Sequence, residues 1–210
     1  MTRLSWGTPG ERFYETGVDR GVLFVTSTGV AWSGLISVTE KSTGGDLTPL
    51  YVDGFKYNQY VSSDEFEATI EAYSAPREFG ACDGTTELMS GLSVTQQKRK
   101  QFGLSYRTLK GNDADGDTLG YKIHLVYNAL VAPSERNNQT QGDGVNPLTF
   151  SWDLTTLPEQ LEGVRPTAHF IVDSTRADTD ALAYLEDHLY GTDAITPTLL
   201  TPTQLVSLFS

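Results

Sequence analysis

Phe102-Gly103-Leu104-Ser105-Tyr106-Arg107 and Lys122-Ile123-His124-Leu125-Val126-Tyr127-Asn128-Ala129 are two alternating runs, connected through Gly111-Asn112-Asp113-Ala114-Asp115-Gly116-Asp117. Side chains on a strand change face at every residue, so Phe102, Leu104 and Tyr106 share one side and Gly103, Ser105 and Arg107 the other. In the second run Ile123, Leu125, Tyr127 and Ala129 oppose Lys122, His124, Val126 and Asn128, and each run reads as a strand with one buried face. The connector is rich in Asn, Asp and Gly, which tolerate left-handed backbone and form Asx turns. The stretch from Phe102 to Ala132 is therefore expected to be a long antiparallel hairpin, and an exposed edge on such arms would pair with another chain.

Similar signals extend outward from it. Strands are expected at Arg12 to Glu15, Val22 to Val25, Val30 to Thr39, Leu50 to Val52, Tyr57 to Val61, Glu65 to Tyr73, Leu148 to Leu154 and Thr167 to Val172. Many short strands punctuated by Gly, Pro and Asp argue for a mainly β chain, a β-sandwich or barrel with one or two flanking helices. One helix is expected at Thr179 to Tyr190, with Leu182, Leu185 and Leu189 on one stripe, acids Asp178 and Asp180 at its start and Gly191 as its cap. A short turn is expected at Arg77 to Cys82. Thr201-Pro202-Thr203-Gln204 has capping-box spacing with proline at the first helical position. With no repeat and no break in composition, residues 1–210 read as one domain. It carries an N-terminal arm (1–16), a long polar loop (132–146) and a C-terminal arm (192–210), three segments poor at stabilising themselves.

The chain has 210 residues, 38% hydrophobic, with 15 basic and 27 acidic side chains and a formal net charge of -12. Its mean hydropathy of -0.30 fits a globular protein, and its apolar runs are strand-sized. The opening Met1 to Gly7 lacks the apolar core of a signal peptide. A single cysteine, Cys82, excludes an intrachain disulfide and reads as a buried filler. From Asn137 onward ten acids face only Arg165 and Arg176. Acidic surface of this kind disfavours stable wrapping of nucleic acid, although DNA can pass it without adhering. Lys98-Arg99-Lys100 is a lone basic cluster without stacking aromatics.

Catalytic patterns are missing. Asp113, Asp115 and Asp117 superficially resemble a calcium loop but have neither the glycine placement nor the distal glutamate, and they read as turn residues. His124, His169 and His188 lack ligand-like spacing, and His124 and His169 are expected on faces opposite the apolar rows, exposed or at an interface. Glu65, Glu67 and Glu71 share one strand, whereas a glycosidase pair flanks a bond from separate elements. No nucleophile elbow, phosphate loop or dinucleotide fingerprint occurs. The expectation is a non-enzyme without catalytic residues, cofactor or metal.

Gly21-Val22-Leu23-Phe24 with Tyr14 to Arg20 before it, Ala31-Trp32-Ser33-Gly34-Leu35-Ile36-Ser37-Val38-Thr39-Glu40 and Pro49-Leu50-Tyr51-Val52-Asp53-Gly54 carry a resemblance. It continues through Glu65 to Tyr73, Phe102 to Arg107, Gly120 to Tyr127, Ala132-Pro133-Ser134-Glu135, Phe150-Ser151-Trp152 and Asp173-Ser174-Thr175. In this order and spacing the pieces resemble major tail tube proteins of long-tailed, non-contractile bacteriophages. The resemblance implies a β-sandwich subunit whose strands join an intersubunit β-barrel in a hexameric ring. Rings would stack into a virion tail tube, assembled in the cytoplasm of the host bacterium. Tape-measure, tail terminator and distal tail proteins would be its partners, and double-stranded DNA would pass through the lumen without specific binding. No membrane partner is expected.

That reading assigns Glu65, Glu67 and Glu71, or the Ser33, Ser37 and Thr39 face, to the lumen, and Leu4, Trp6, Leu199 and Phe209 to contacts between rings. Two other readings share some of these features. One is the tube protein of a contractile injection or secretion device. The other is a carbohydrate- or receptor-binding β-sandwich with Trp32, Tyr57 and Tyr60 as its aromatic platform.

Overall fold

A computed structural model describes residues 3–140 and 147–210. Positions 1–2 of the expected N-terminal arm and 141–146 of the expected long loop lie outside the described residues. The chain is mainly β, built on an antiparallel sheet of eight strands. At its centre is the expected hairpin, β9 (Phe102–Asn112) and β10 (Gly116–Val131). β1 (Tyr14–Phe24) pairs with the outer side of β9 and carries the short edge strand β2 (Gly29–Ala31). On the far side of β10 the partners change along its length. β12 (His169–Asp173) pairs with Lys122 to Val126, and β11 (Phe150–Thr156) pairs with Ala129 to Val131. The change falls at a register shift between Val126 and Ala129, where Asn128 has φ +50°. An extra residue bends a strand there, and Asn tolerates the left-handed backbone that the bend needs.

From β11 the sheet continues through β6 (Asp64–Ala72) to β3 (Leu35–Gly44). This half folds back over β1, β9 and β10. Ala68, Ile70, Ala72, Trp152 and Leu154 on one side meet Leu23, Leu104, Tyr106, Val126 and Val131 on the other. Trp32, Phe79 and Trp152 fill the middle, with ring centroids 4.7 Å apart for Trp32–Phe79 and 5.1 Å for Phe79–Trp152. The first pair is tilted and the second edge-on, and edge-on aromatic packing adds to the area that the rings bury. Phe79 ends a 3-10 turn at Arg77–Phe79, which runs into α1 (Gly80–Asp83) and buries Cys82 beside it. Burial pushes the Cys82 thiol up to about 12, so it is an inert core group, as its sequence context suggested.

The expectation of one buried face on the central hairpin is corrected. Phe102 to Tyr106 and Ile123 to Tyr127 are buried at every position. A second core covers the opposite face: Val22, Phe24, Ile123, Leu125, Tyr127 and Val172 pack against α2 (Thr179–Tyr190) and α3 (Pro202–Leu208). Asp178 caps α2 by accepting from the Asp180 and Ala181 amides, and Thr201 and Gln204 form the expected capping box of α3. The segment joining the helices lies on the sheet. Leu199 comes so close to Gly103 that a β-carbon there would sit 2.4 Å from its Cδ2. Gly103→Ala is expected to lower stability by about 1–3 kcal/mol through overpacking, read as a lower urea midpoint with an unchanged slope.

Other strand boundaries also differ from expectation. The two expected strands Arg12 to Glu15 and Val22 to Val25 overlap the two ends of one strand, β1, which is kinked by register shifts at Thr16/Val18 and Asp19/Val22. Val30 to Thr39 divides at a turn into β2 and β3. The hairpin β7 (Thr86–Met89) and β8 (Leu92–Val94) had no clear alternating signal. Among the described residues, no helix is long and apolar enough to cross a membrane.

Candidate assembly surfaces

Both sides of the central hairpin are paired within the chain, so it offers no free edge along most of its length, contrary to expectation. The unpaired edges lie elsewhere. Among the described residues, β3 has β6 on one side and no strand on the other, and β4 (Leu47–Val52) and β5 (Phe55–Val61) pair only with each other. The two pairs are continuous. The β3–β6 ladder ends at Gly44↔Asp64 and the β4–β5 ladder begins at Leu47↔Val61. Between them the Gly45 amide donates to Ser63 O and the Ser62 amide to Asp46 O. One long hairpin therefore leaves the body, and its distal half extends about 20 Å at a strand's rise per residue.

That distal half has no core. Leu47, Leu50, Tyr51, Val52, Phe55, Tyr57, Tyr60 and Val61 are all exposed, Phe55 at 78% and Tyr57 at 74%. An isolated two-stranded hairpin is at best marginally stable in water. The pairing puts Leu47 and Val61 on one face of the ribbon and Leu50 and Tyr60 on the other, and large apolar side chains exposed on both faces mark an interaction surface. The N-terminal arm is similar: Leu4, Trp6 and Phe13 are exposed, Trp6 at 85%. It is tethered where Asp113 Oδ1 accepts from the Gly10 amide at 2.9 Å and the Arg12 amide at 3.3 Å. Asn112 Nδ2 donates to Asp115 and to Gly10 O, so these turn residues hold one another and the arm. Leu199 and Phe209, expected between rings, instead pack on the subunit's own second core.

The outward face of β3, β6 and β11 is polar throughout. Ser37, Thr39, Lys41 and Thr43 stand opposite Glu71, Thr69, Glu67 and Glu65, with Ser151, Asp153 and Thr155 on the third strand. Ser37 Oγ donates to Glu71 Oε2 at 3.0 Å, Thr69 Oγ1 to Asp153 Oδ1 at 2.6 Å, and Lys41 lies 3.6 Å from Glu67. Five of the six residues assigned to a lumen thus share one acidic sheet face. Ser33 sits in the turn before β3, where its carbonyl accepts from Ser74 Oγ. Trp32 leaves the proposed sugar platform: it is 3% exposed, and its indole Nε1 donates to Ser74 O at 2.8 Å.

The histidines also depart from expectation. His124 is buried, its ring stacked on Tyr106 at 4.6 Å, and His169 is partly buried between His124 and Phe66. Glu40 points inward from β3. Its Oε1 lies 3.0 Å from His124 Nδ1 and accepts from the Tyr106 hydroxyl at 2.7 Å. An inward-pointing charge also discourages unspecific pairing along an edge strand. The His124 hydrogen bond, working against burial, holds the Glu40 carboxyl down at about 2. Burial pushes His169 down from 6.5 to about 4, opposed by Glu40 and reinforced by His124.

For His169 the unfolded chain takes up its proton near pH 6.5 and the folded chain only near 4. Its contribution is therefore complete above 6.5 and disappears as the pH falls to 4; that of Glu40 disappears between about 4.5 and 2. Stability is expected to fall by about 2–3 kcal/mol between pH 6.5 and 4. His169→Gln should flatten that window in urea titrations.

No protein-family model and no curated protein sequence matches this chain. Solved structures that resemble it include the tube-terminating cap of the anti-feeding prophage, at 12% identity and TM-score 0.35, covering 83% of this chain and 96% of the other. The sheath/tube terminator of PVC, an extracellular contractile injection system, aligns at 13% identity and TM-score 0.33, over 81% and 99% of the two chains. A chain of the extended PVC sheath–tube complex aligns at 14% identity and TM-score 0.33, over 81% and 94%. Likeness at this level assigns no role to the chain.

Proposed function

We propose that this chain is a structural tube subunit of a bacteriophage tail. Copies close head-to-tail into hexameric rings, and the rings stack into a conduit through which the genome leaves the virion. The observation that carries this reading is the projecting hairpin from Leu47 to Val61, apolar and without a partner among the described residues. Across the two faces of this ribbon eight large apolar side chains cover on the order of 1,000 Å², the scale of a specific interface. A head-to-tail contact whose rotation closes makes a ring, and rings with a second complementary surface make a filament. Leu4 and Trp6 belong to that second surface.

The face bearing Glu65, Glu67, Glu71, Ser37 and Thr39 suits the lumen, because fixed negative charge repels phosphate and leaves DNA free to slide. Such a subunit has no catalytic task. Its tape-measure, terminator and distal tail partners would meet the ends or interior of the tube. Negative-stain microscopy of the concentrated protein tests the reading, with rings or hollow tubes expected; monodisperse single subunits at every concentration contradict it. Glu65→Lys, Glu67→Lys and Glu71→Lys together should preserve tubes and reduce DNA delivery at least tenfold in virions carrying them. Normal delivery would remove the face from the lumen.

A further inference from the structure

We propose that Glu40, His124 and His169 form a binding site for a divalent transition-metal ion, with zinc the best match to two imidazole nitrogens and one carboxylate oxygen. The donors come from β3, β10 and β12, which explains why no spacing along the sequence announces them. The three ligand atoms all lie within 4.8 Å of one another. His124 Nδ1 is 3.0 Å from Glu40 Oε1 and 3.2 Å from His169 Nε2. A tetrahedral ion with bonds of about 2.0–2.1 Å holds its ligand atoms roughly 3.3 Å apart. The cluster is therefore already close to ligand spacing.

The surrounding groups orient the donors as metal ligands need. His124 Nε2 lies 3.1 Å from Thr108 Oγ1. A proton on Nε2, donated to that hydroxyl, leaves the Nδ1 lone pair directed at the ion. Glu40 accepts from the Tyr106 hydroxyl, and the stacked rings of Tyr106, His124, His169 and Phe66 fix both imidazole planes. The His124 side chain is 5% exposed and that of Glu40 37%. The ion is thus enclosed by protein on one side and reached from the Glu40 side, where water completes its shell. Binding moves the His124 proton from Nδ1 to Nε2 and ties the edge strand β3 across the sandwich to β10 and β12. The site does not depend on tube assembly.

Metal-depleted full-length protein titrated with Zn2+ against a chromophoric chelator is expected to take up one equivalent per chain, with a dissociation constant of micromolar or below. Co2+ should give the visible absorption bands of a four-coordinate site, and excess Zn2+ should raise the unfolding midpoint. His169→Gln and Glu40→Gln, both at partly exposed positions, should each weaken uptake by about 10–100-fold. Failure of the wild-type chain to take up stoichiometric Zn2+ overturns the proposal, as does undiminished uptake by both variants. If a variant does not fold, the wild-type stoichiometry and Co2+ spectrum decide.

Discussion

Replacing Tyr51, Phe55 and Tyr57 with serine is expected to leave a folded subunit that no longer assembles. The three rings are exposed on the distal hairpin and contribute to neither core. Their loss should therefore move the thermal midpoint of the isolated subunit by no more than a degree or two, since surface changes away from special features stay within about 0.5 kcal/mol. In an assembly each aromatic side chain buries some 150–250 Å². At about 25 cal/mol per Å², losing three should weaken each contact by several kcal/mol, raising the critical concentration at least a hundredfold. Sedimentation of wild type and variant over a concentration series measures this. An unchanged critical concentration would mean that the hairpin is not the contact.

Truncation after Thr192 should have the opposite signature and unfold the subunit itself. Sequence reasoning treats residues 192–210 as an arm whose apolar residues need an external surface, but the structure supplies that surface within the chain. Leu200 and Leu205 are buried in the second core, and the Tyr127 hydroxyl donates to Leu200 O at 2.8 Å. The Gly29 amide donates to Pro197 O and the Thr198 amide to His188 O, so the segment is also bound along its backbone. Removing two buried leucines alone costs about 3–6 kcal/mol, and truncation also exposes the sheet face and orphans a buried hydroxyl. Against a typical total of about 5–15 kcal/mol, the truncated chain is expected to be largely unfolded or aggregated at 37 °C. A soluble truncation product with a native thermal midpoint would contradict this packing.

These examples show what local pattern reveals and what it hides. The period-two runs gave the central hairpin, and the capping chemistry of Asp178, Gly191 and Thr201-Pro202-Thr203-Gln204 gave both C-terminal helices, because those signals reside in a few neighbouring residues. The second buried face of β9 and β10 was hidden. Gly103 and Ser105 look like an exposed face until Leu199, almost a hundred positions later, fills the space left by the glycine. Strand continuity was hidden as well: Leu50 to Val52 and Tyr57 to Val61 read as ordinary strands, and nothing local marks them as the overhang of β3 and β6. The shared face of Glu65, Glu67 and Glu71 was legible because alternate positions on β6 point the same way. The cluster of Glu40, His124 and His169 was not, since it forms only when the sheet folds over itself and an acid on an edge strand turns inward.

The central claim is that the hairpin from Leu47 to Val61 is covered by another copy of the chain. Amide hydrogen exchange, compared between dilute subunits and the assembled protein, tests it most directly. The account predicts rapid exchange of hairpin amides in the subunit and protection of at least a hundredfold on assembly, with the central strands β9 and β10 protected in both. Hairpin amides that exchange equally fast in the two samples would contradict it.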